Sequence, residues 1–140
     1  MGPRDFEVLE HPADIGFRAF GGTLPDLFAH SALAMLSIAA DPGAVQPKGE
    51  YPLAVESGDR ESLLVDWLNE VLYWFDGKRV AFRDFRVTQF RETAIEAVGV
   101  GEPRDAARHG ARLIVKAVTY HQLKIERRGG LWVAEVYLDI

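Results

Sequence analysis

The 140-residue sequence predicts an α+β domain in two layers, two helices packed on a largely antiparallel, twisted β-sheet. Two segments place apolar residues at helical spacing, while several others are short and alternate apolar with polar residues. No internal repeat, low-complexity tract or long linker divides the chain, so residues 1–140 are expected to form a single domain. At this length folding buries roughly 68–70% of the chain's surface, enough to build a core without staples.

The elements follow in order. Phe6-Glu7-Val8-Leu9 and Ile15-Gly16-Phe17-Arg18-Ala19-Phe20 read as two strands joined by a tight connection, with Gly21-Gly22 ending the second. A helix then starts at Thr23, which can cap it. Pro25 is tolerated in the first turn, and Asp26 sits near the positive end of the helix dipole. Leu24, Leu27, Phe28, Ser31, Met35 and Ile38 form its buried stripe, and Asp41-Pro42-Gly43 stops it. Residues 51–56 alternate and contain Pro52, which predicts an edge strand.

A second helix is predicted over residues 62–75. Leu64, Trp67, Leu68, Val71, Leu72 and Phe75 line one face, and Gly77 marks the end. From Val80 the period becomes two. Val80 and Phe82 share one parity, but Phe85 and Val87 share the other, which predicts a bulge near Arg83-Asp84. Further strands are expected at 93–100, 113–125 and 131–140, with a polar loop at 101–110. Arg128-Gly129-Gly130 is the expected hairpin turn between the last two strands.

Composition narrows the function classes. With 48% apolar and 26% charged residues the chain has a globular balance. No cysteine is present, so disulfides, thiolate metal ligands and a cysteine nucleophile are excluded. No apolar run reaches the ~18–20 residues of a membrane span, and Met1-Gly2-Pro3-Arg4-Asp5 is not followed by a signal-peptide core. A soluble cytoplasmic domain with no membrane partner is therefore expected. The net charge of −5 disfavours stable binding to nucleic acid through phosphate contacts. The charge is uneven: residues 1–76 carry −9 and residues 77–140 carry +4. That asymmetry either orients a protein partner or is scatter over a solvated surface.

The last strand is the most informative about chemistry. Trp132, Ala134, Val136, Leu138 and Ile140 share one apolar face, whereas Glu135, Tyr137 and Asp139 share the other. An apolar residue in core register at the terminus would hold the α-carboxylate of Ile140 in place beside the carboxylate of Asp139. Such a pair can seat a hard cation. Two carboxylates ~4–5 Å apart repel by about 3–4 kcal/mol at an effective dielectric of 20, so a proton or a metal has to relieve them. Asp14 is a candidate third oxygen ligand. The plain alternatives are a solvated tail for Asp139-Ile140 and a turn-capping role for Asp14.

A zinc site built from His11, His109 and His121 with an aspartate is the rival, although their spacing matches no compact ligand motif. In a regular strand His121 shares the face of Val115, Ala117, Leu123 and Ile125 and reads as a core histidine. Lys116 falls on the opposite face, so the two do not reach one site unless a bulge intervenes. No Walker sequence, Gly-x-Ser-x-Gly elbow or Gly-x-Gly-x-x-Gly turn is present, and Ser31, Ser37, Ser57 and Ser62 read as helix or turn serines rather than as a nucleophile with its activator.

Five segments, in order and spanning residues 5–140, resemble the archease family. They are His11-Pro12-Ala13-Asp14-Ile15-Gly16, Leu64-Val65-Asp66-Trp67-Leu68-Asn69-Glu70, Gly101-Glu102-Pro103-Arg104-Asp105 with Arg108-His109, Lys116-Ala117-Val118-Thr119-Tyr120-His121, and Asp139-Ile140. Pro12 departs from the threonine usual in the first segment. The resemblance implies a small α+β protein that activates the GTP-dependent RNA ligase of tRNA splicing and RNA repair. That ligase joins a 3′-phosphate or 2′,3′-cyclic phosphate end to a 5′-hydroxyl after attaching GMP to its own histidine. The activator speeds this guanylylation and allows multiple turnovers without performing chemistry itself.

Carried over residue by residue, the resemblance places a divalent metal ion on Asp14, Asp139 and the terminal carboxylate of Ile140. Calcium or magnesium is expected, with manganese as an alternative. Lys116 is implied as a contact or charge-placing residue at the same tip, and His11 and His121 as further partner or activation residues. Two other functions stand against this one: a metal-dependent phosphoesterase using the same acids, and a general chaperone or adaptor that docks by its charge asymmetry.

Overall fold

The local pattern of the sequence becomes eight strands and three helices in a computed structural model that describes residues 5–10 and 14–140. The order is β1 (Phe6–Glu10), β2 (Ile15–Gly21), α1 (Leu24–Ala39), β3 (Gly49–Glu56), α2 (Arg60–Asp76), β4 (Val80–Arg91), β5 (Ala94–Pro103), α3 (Ala106–His109), β6 (Ala117–Val118), β7 (Lys124–Arg128) and β8 (Leu131–Asp139). The α+β expectation holds, with a refinement. The strands form two antiparallel sheets, one ordered β1-β2-β8-β6 with β7 also on β8, the other β3-β5-β4. The third helix is a single turn inside the segment expected to be a polar loop.

Both long helices begin as their sequences dictate. The Thr23 hydroxyl accepts the Asp26 N–H, and the Asp59 carboxylate accepts the Ser62 N–H. The α1 helix is buried on far more than one stripe: Ala29, Ala32, Ala34, Leu36 and Ala39 join the predicted residues in the core. The cause is its position, since α1 touches β2 and β8 of one sheet, β4 of the other, and α2. Small residues let it pack on several sides. The predicted face of α2 is buried throughout, and the Trp67 indole donates to the Phe28 carbonyl at 2.9 Å, joining the helices inside the core. An edge-to-face contact of Trp67 with Phe85 links α2 to the second sheet, and one of Tyr51 with Phe82 ties β3 to β4 within it.

The parity change in β4 is a bulge between Phe82 and Asp84. It releases Arg83 to donate to the Val45 carbonyl at 2.9 Å. Pro52 sits on an edge strand, as expected. The β7–β8 turn uses Gly129 and Gly130 at φ 55° and 86°, the left-handed pair that a two-residue hairpin requires.

One expected strand is corrected. Residues 113–125 do not form a continuous strand. Residues 110–115 run outside any ladder, with the N–H groups of Arg112 and Leu113 held by the Ala39 and Ile38 carbonyls at the end of α1. Only Ala117 and Val118 pair with the end of β8, and the chain regains β8 at Lys124 in a shifted register. A turn closed by the Leu123 N–H on the Tyr120 carbonyl, with Gln122 at φ 53°, makes the shift.

Trp67→Phe removes both ring volume and the indole hydrogen bond from a closed core. It is expected to lower unfolding free energy by about 1–3 kcal/mol, read as a lower urea midpoint at unchanged slope.

Candidate functional site

The candidate site stands where β2 begins and β8 ends. The two strands pair from Ile15 with Leu138 through Gly16 with Tyr137 to Gly21 with Trp132. Asp14 immediately precedes the first paired residue and Asp139 immediately follows its partner, so the two aspartates occupy facing positions at the mouth of the ladder. Leu138, Val136 and Ala134 are buried on the inner face, which leaves Asp139, Tyr137 and Glu135 on the outer one with Asp14, Gly16 and Arg18. Asp14 is half-buried and Asp139 exposed.

On its other side Asp139 pairs with Ala117, and its carbonyl accepts the Lys116 N–H at 2.8 Å. Lys116 is exposed and lies at the same tip. The tail is therefore tied down, but not by the predicted anchor. Ile140 lies beyond β8 and is 45% exposed, because the paired positions of β8 end at Asp139. The backbone of residues 116–118, rather than a buried Ile140 side chain, holds the end of the chain.

Gly16 is required by a close approach. A Cβ there would stand 2.8 Å from both the Tyr137 ring and the Val136 carbonyl, so the ring covers the glycine across the strands. The His121 ring is 6.2 Å from that of Tyr137, and the His121 N–H donates to the Thr119 hydroxyl at 3.2 Å. His121 is exposed, not the core histidine predicted from parity, because the turn at 120–123 breaks the alternation. The same turn is the irregularity that lets Lys116 and His121 belong to one end of the sheet. His11 lies outside the described residues.

The donor set at the tip is made of oxygen. Among the described residues no three His, Asp or Glu side chains gather closely enough to hold a metal ion. The side-chain oxygen donors at this end of the ladder are the carboxylates of Asp14 and Asp139. Such a set suits calcium or magnesium rather than zinc. His109, named in the zinc alternative, has both ring nitrogens engaged elsewhere. Nδ1 accepts the Asp105 N–H at 3.0 Å, so Nε2 carries the proton and donates to Glu102 at 2.8 Å.

That Glu102–His109 pair was not legible in the sequence, where both residues read as parts of a solvated loop. Glu102 is 2% exposed and His109 1%. The Glu102 carboxylate also accepts from the Arg108 guanidinium and from the Gln46 N–H at 2.8 Å, with Lys48 Nζ at 3.7 Å. The Arg108 hydrogen bond above all, then that of Gln46, hold its carboxyl down to about 2 against the opposing effect of burial, with His109 adding to them. The cluster pins α3 to the segment before β3. The second-helix motif is likewise structural in most positions. Leu64, Trp67 and Leu68 are core, Asp66 accepts from the Ser57 hydroxyl at 2.8 Å, and Glu70 accepts from the Trp74 indole at 3.0 Å. Asn69 alone reaches toward the tip, accepting the Val118 N–H at 3.3 Å.

Comparison with known proteins covers the whole of this architecture. A sequence model of the archease protein family matches residues 6–140. The chain is 42% identical to protein archease of Methanosarcina acetivorans, across 98% of this chain and 97% of that one. It is 38% identical to protein archease of Methanopyrus kandleri, across 96% and 99%. Protein 1598 of Methanobacterium thermoautotrophicum, solved in solution, superposes with a TM-score of 0.81 at 33% identity, covering 97% of this chain and 99% of that one. A crystal structure from Thermotoga maritima, described as an archease and possible chaperone, shares the fold with a TM-score of 0.66 at 22% identity, covering 94% of each chain.

The Glu102 cluster has a measurable signature. Its carboxyl is lowered from 4.5 to about 2 on folding, so the stability it contributes is complete above 4.5 and is lost as pH falls through that window. The urea midpoint is expected to drop across this range in the native chain, and Glu102→Gln is expected to flatten that acid slope while lowering the midpoint at neutral pH.

Proposed function

The chain belongs to the archease family, and from that premise we propose that it is a non-catalytic, divalent-metal-binding activator of the GTP-dependent RNA ligase. In this reading it promotes guanylylation of the ligase's own histidine and multiple turnover in tRNA splicing or RNA repair. The observation that carries the proposal is the register of β2 on β8, which sets Asp14 and Asp139 at facing positions beside the chain terminus. Like charges so placed favour a bound cation. Asp14, Asp139 and the terminal carboxylate of Ile140 would hold it, with calcium or magnesium favoured and manganese the alternative. The ion would supply positive charge at the tip and fix the carboxylates' orientation.

Activation without chemistry has a simple energetic requirement. The tip has to bind the ligase's reactive arrangement more tightly than its resting one, and each tenfold stimulation corresponds to about 1.4 kcal/mol of that difference. Lys116, placed at the same tip, is suited to contact the partner or set the local charge, with His121 beside Tyr137 as a further contact. A cytoplasmic setting belongs to the same proposal. Among the described residues no helix is long and apolar enough to cross a membrane.

Extending the chain beyond Ile140 moves the terminal carboxylate while leaving every side chain in place. Calcium affinity, read by titration calorimetry, is expected to fall by about tenfold or more, and stimulation of ligase guanylylation is expected to be lost with an unchanged circular dichroism spectrum. Asp139→Asn is expected to do the same. Full stimulation by both variants overturns the proposal in favour of a general chaperone acting through distributed charge. Phosphoesterase turnover by the isolated chain that vanishes in Asp14→Asn overturns it in favour of a metal-dependent hydrolase.

A further inference from the structure

Asn69 lies in the middle of α2, where asparagine is a poor helix former. Its neighbours Trp67, Leu68, Val71 and Leu72 are buried, so its Cα is rigidly placed, and its half-buried side chain points to β6 instead of the core. We infer that Asn69 is a positioning residue for the acidic tip: its side-chain carbonyl holds β6 in place, and β6 in turn fixes the end of β8 that carries Asp139.

The chain of contacts is short. Strand β6 has only two residues, Ala117 and Val118, and Ala117 is the partner of Asp139. The Thr119 N–H is engaged by the Tyr137 carbonyl at 3.1 Å. By the alternation of an antiparallel ladder the preceding N–H, that of Val118, points out of the sheet edge. Val118 is 7% exposed, so this outward N–H has no open access to water and needs a protein acceptor. Asn69 Oδ1 supplies it at 3.3 Å. With β6 held from the helix side, the Lys116 N–H stays on the Asp139 carbonyl at 2.8 Å, which keeps the last residues of the chain in line with Asp14. The helix motif thus reaches the tip through one side chain. Its consequence for a bound cation rests on the function proposed above, whereas its consequence for strand position does not.

Amide hydrogen exchange and calcium titration together test this. Asn69→Ala raises helix propensity, so α2 is expected to stay protected. Exchange at Val118 and Lys116 is expected to become at least tenfold faster, and calcium affinity to fall at least threefold. Asn69→Asp keeps an acceptor oxygen and is expected to keep Val118 protected. Unchanged exchange at Val118 and Lys116 in Asn69→Ala overturns the inference, as does a loss of protection spread evenly over α2, which would make Asn69 a residue of the fold alone. If exchange responds as expected while the native chain binds no calcium, the positioning role stands and the reading of the tip as a cation site falls.

Discussion

The ladder between β2 and β8 is the contact on which the rest of the molecule depends. It joins the second strand of the chain to the last across seven consecutive pairs, from Ile15 with Leu138 to Gly21 with Trp132. Side chains alternate faces with a period of two, so a slip of one residue would turn Leu138, Val136 and Ala134 out to solvent and drive Asp139, Tyr137 and Glu135 into α1. The apolar face therefore enforces the register, and the register places Asp14 opposite Asp139. Hydrophobic burial, a non-directional force, sets the position of two charges by this route.

Around that ladder the polar residues divide by what they do for the fold. On the outer face Arg18 bridges Glu7 and Glu135, and Arg128 bridges Glu126 and Glu135. Burial pushes the Glu135 carboxyl up, but the hydrogen bonds from Arg128 and Arg18 outweigh it and leave it below the usual range. Each carboxylate of that row is paired with a guanidinium. The next positions toward the tip are Gly16 under the Tyr137 ring, then Asp14 facing Asp139. Carboxylates in the middle of the sheet are bridged by arginines, whereas Asp14 and Asp139 stand at its end with Lys116.

The segments that resemble the family motifs are not all of one kind. Buried Glu102 and His109, with the exposed Arg108 on the Glu102 carboxylate, pin a one-turn helix, and Trp67 and Leu68 are core. Asp14-Ile15-Gly16 of the first segment, the residues at 116–121 and the chain end converge on one end of one sheet, with Asn69 of the helix segment reaching them through Val118. A motif is a stretch where substitution is costly, and a buried, hydrogen-bonded carboxylate meets that description as well as a binding site does.

Much of the fold was legible because it rests on local physics. The start cap of α1, the end of α2 at Gly77, the glycine hairpin before β8, the edge position of Pro52 and the bulge at Arg83 each follow from dihedral limits, helix capping or side-chain parity within a few residues. The acids of the tip were likewise visible as residue types. What required the tertiary structure was every relation between distant segments. The division into two sheets, the break of 113–125 by a turn that exposes His121, the half-exposed Ile140 and the Glu102–His109 pair depend on which strand lies beside which. Parity propagates along a strand only while the ladder is unbroken, and a turn resets it. Backbone pairing with residues 116–118 could replace a side-chain anchor at the chain end because a hydrogen-bonded neighbour, invisible in a one-dimensional pattern, was available to hold it.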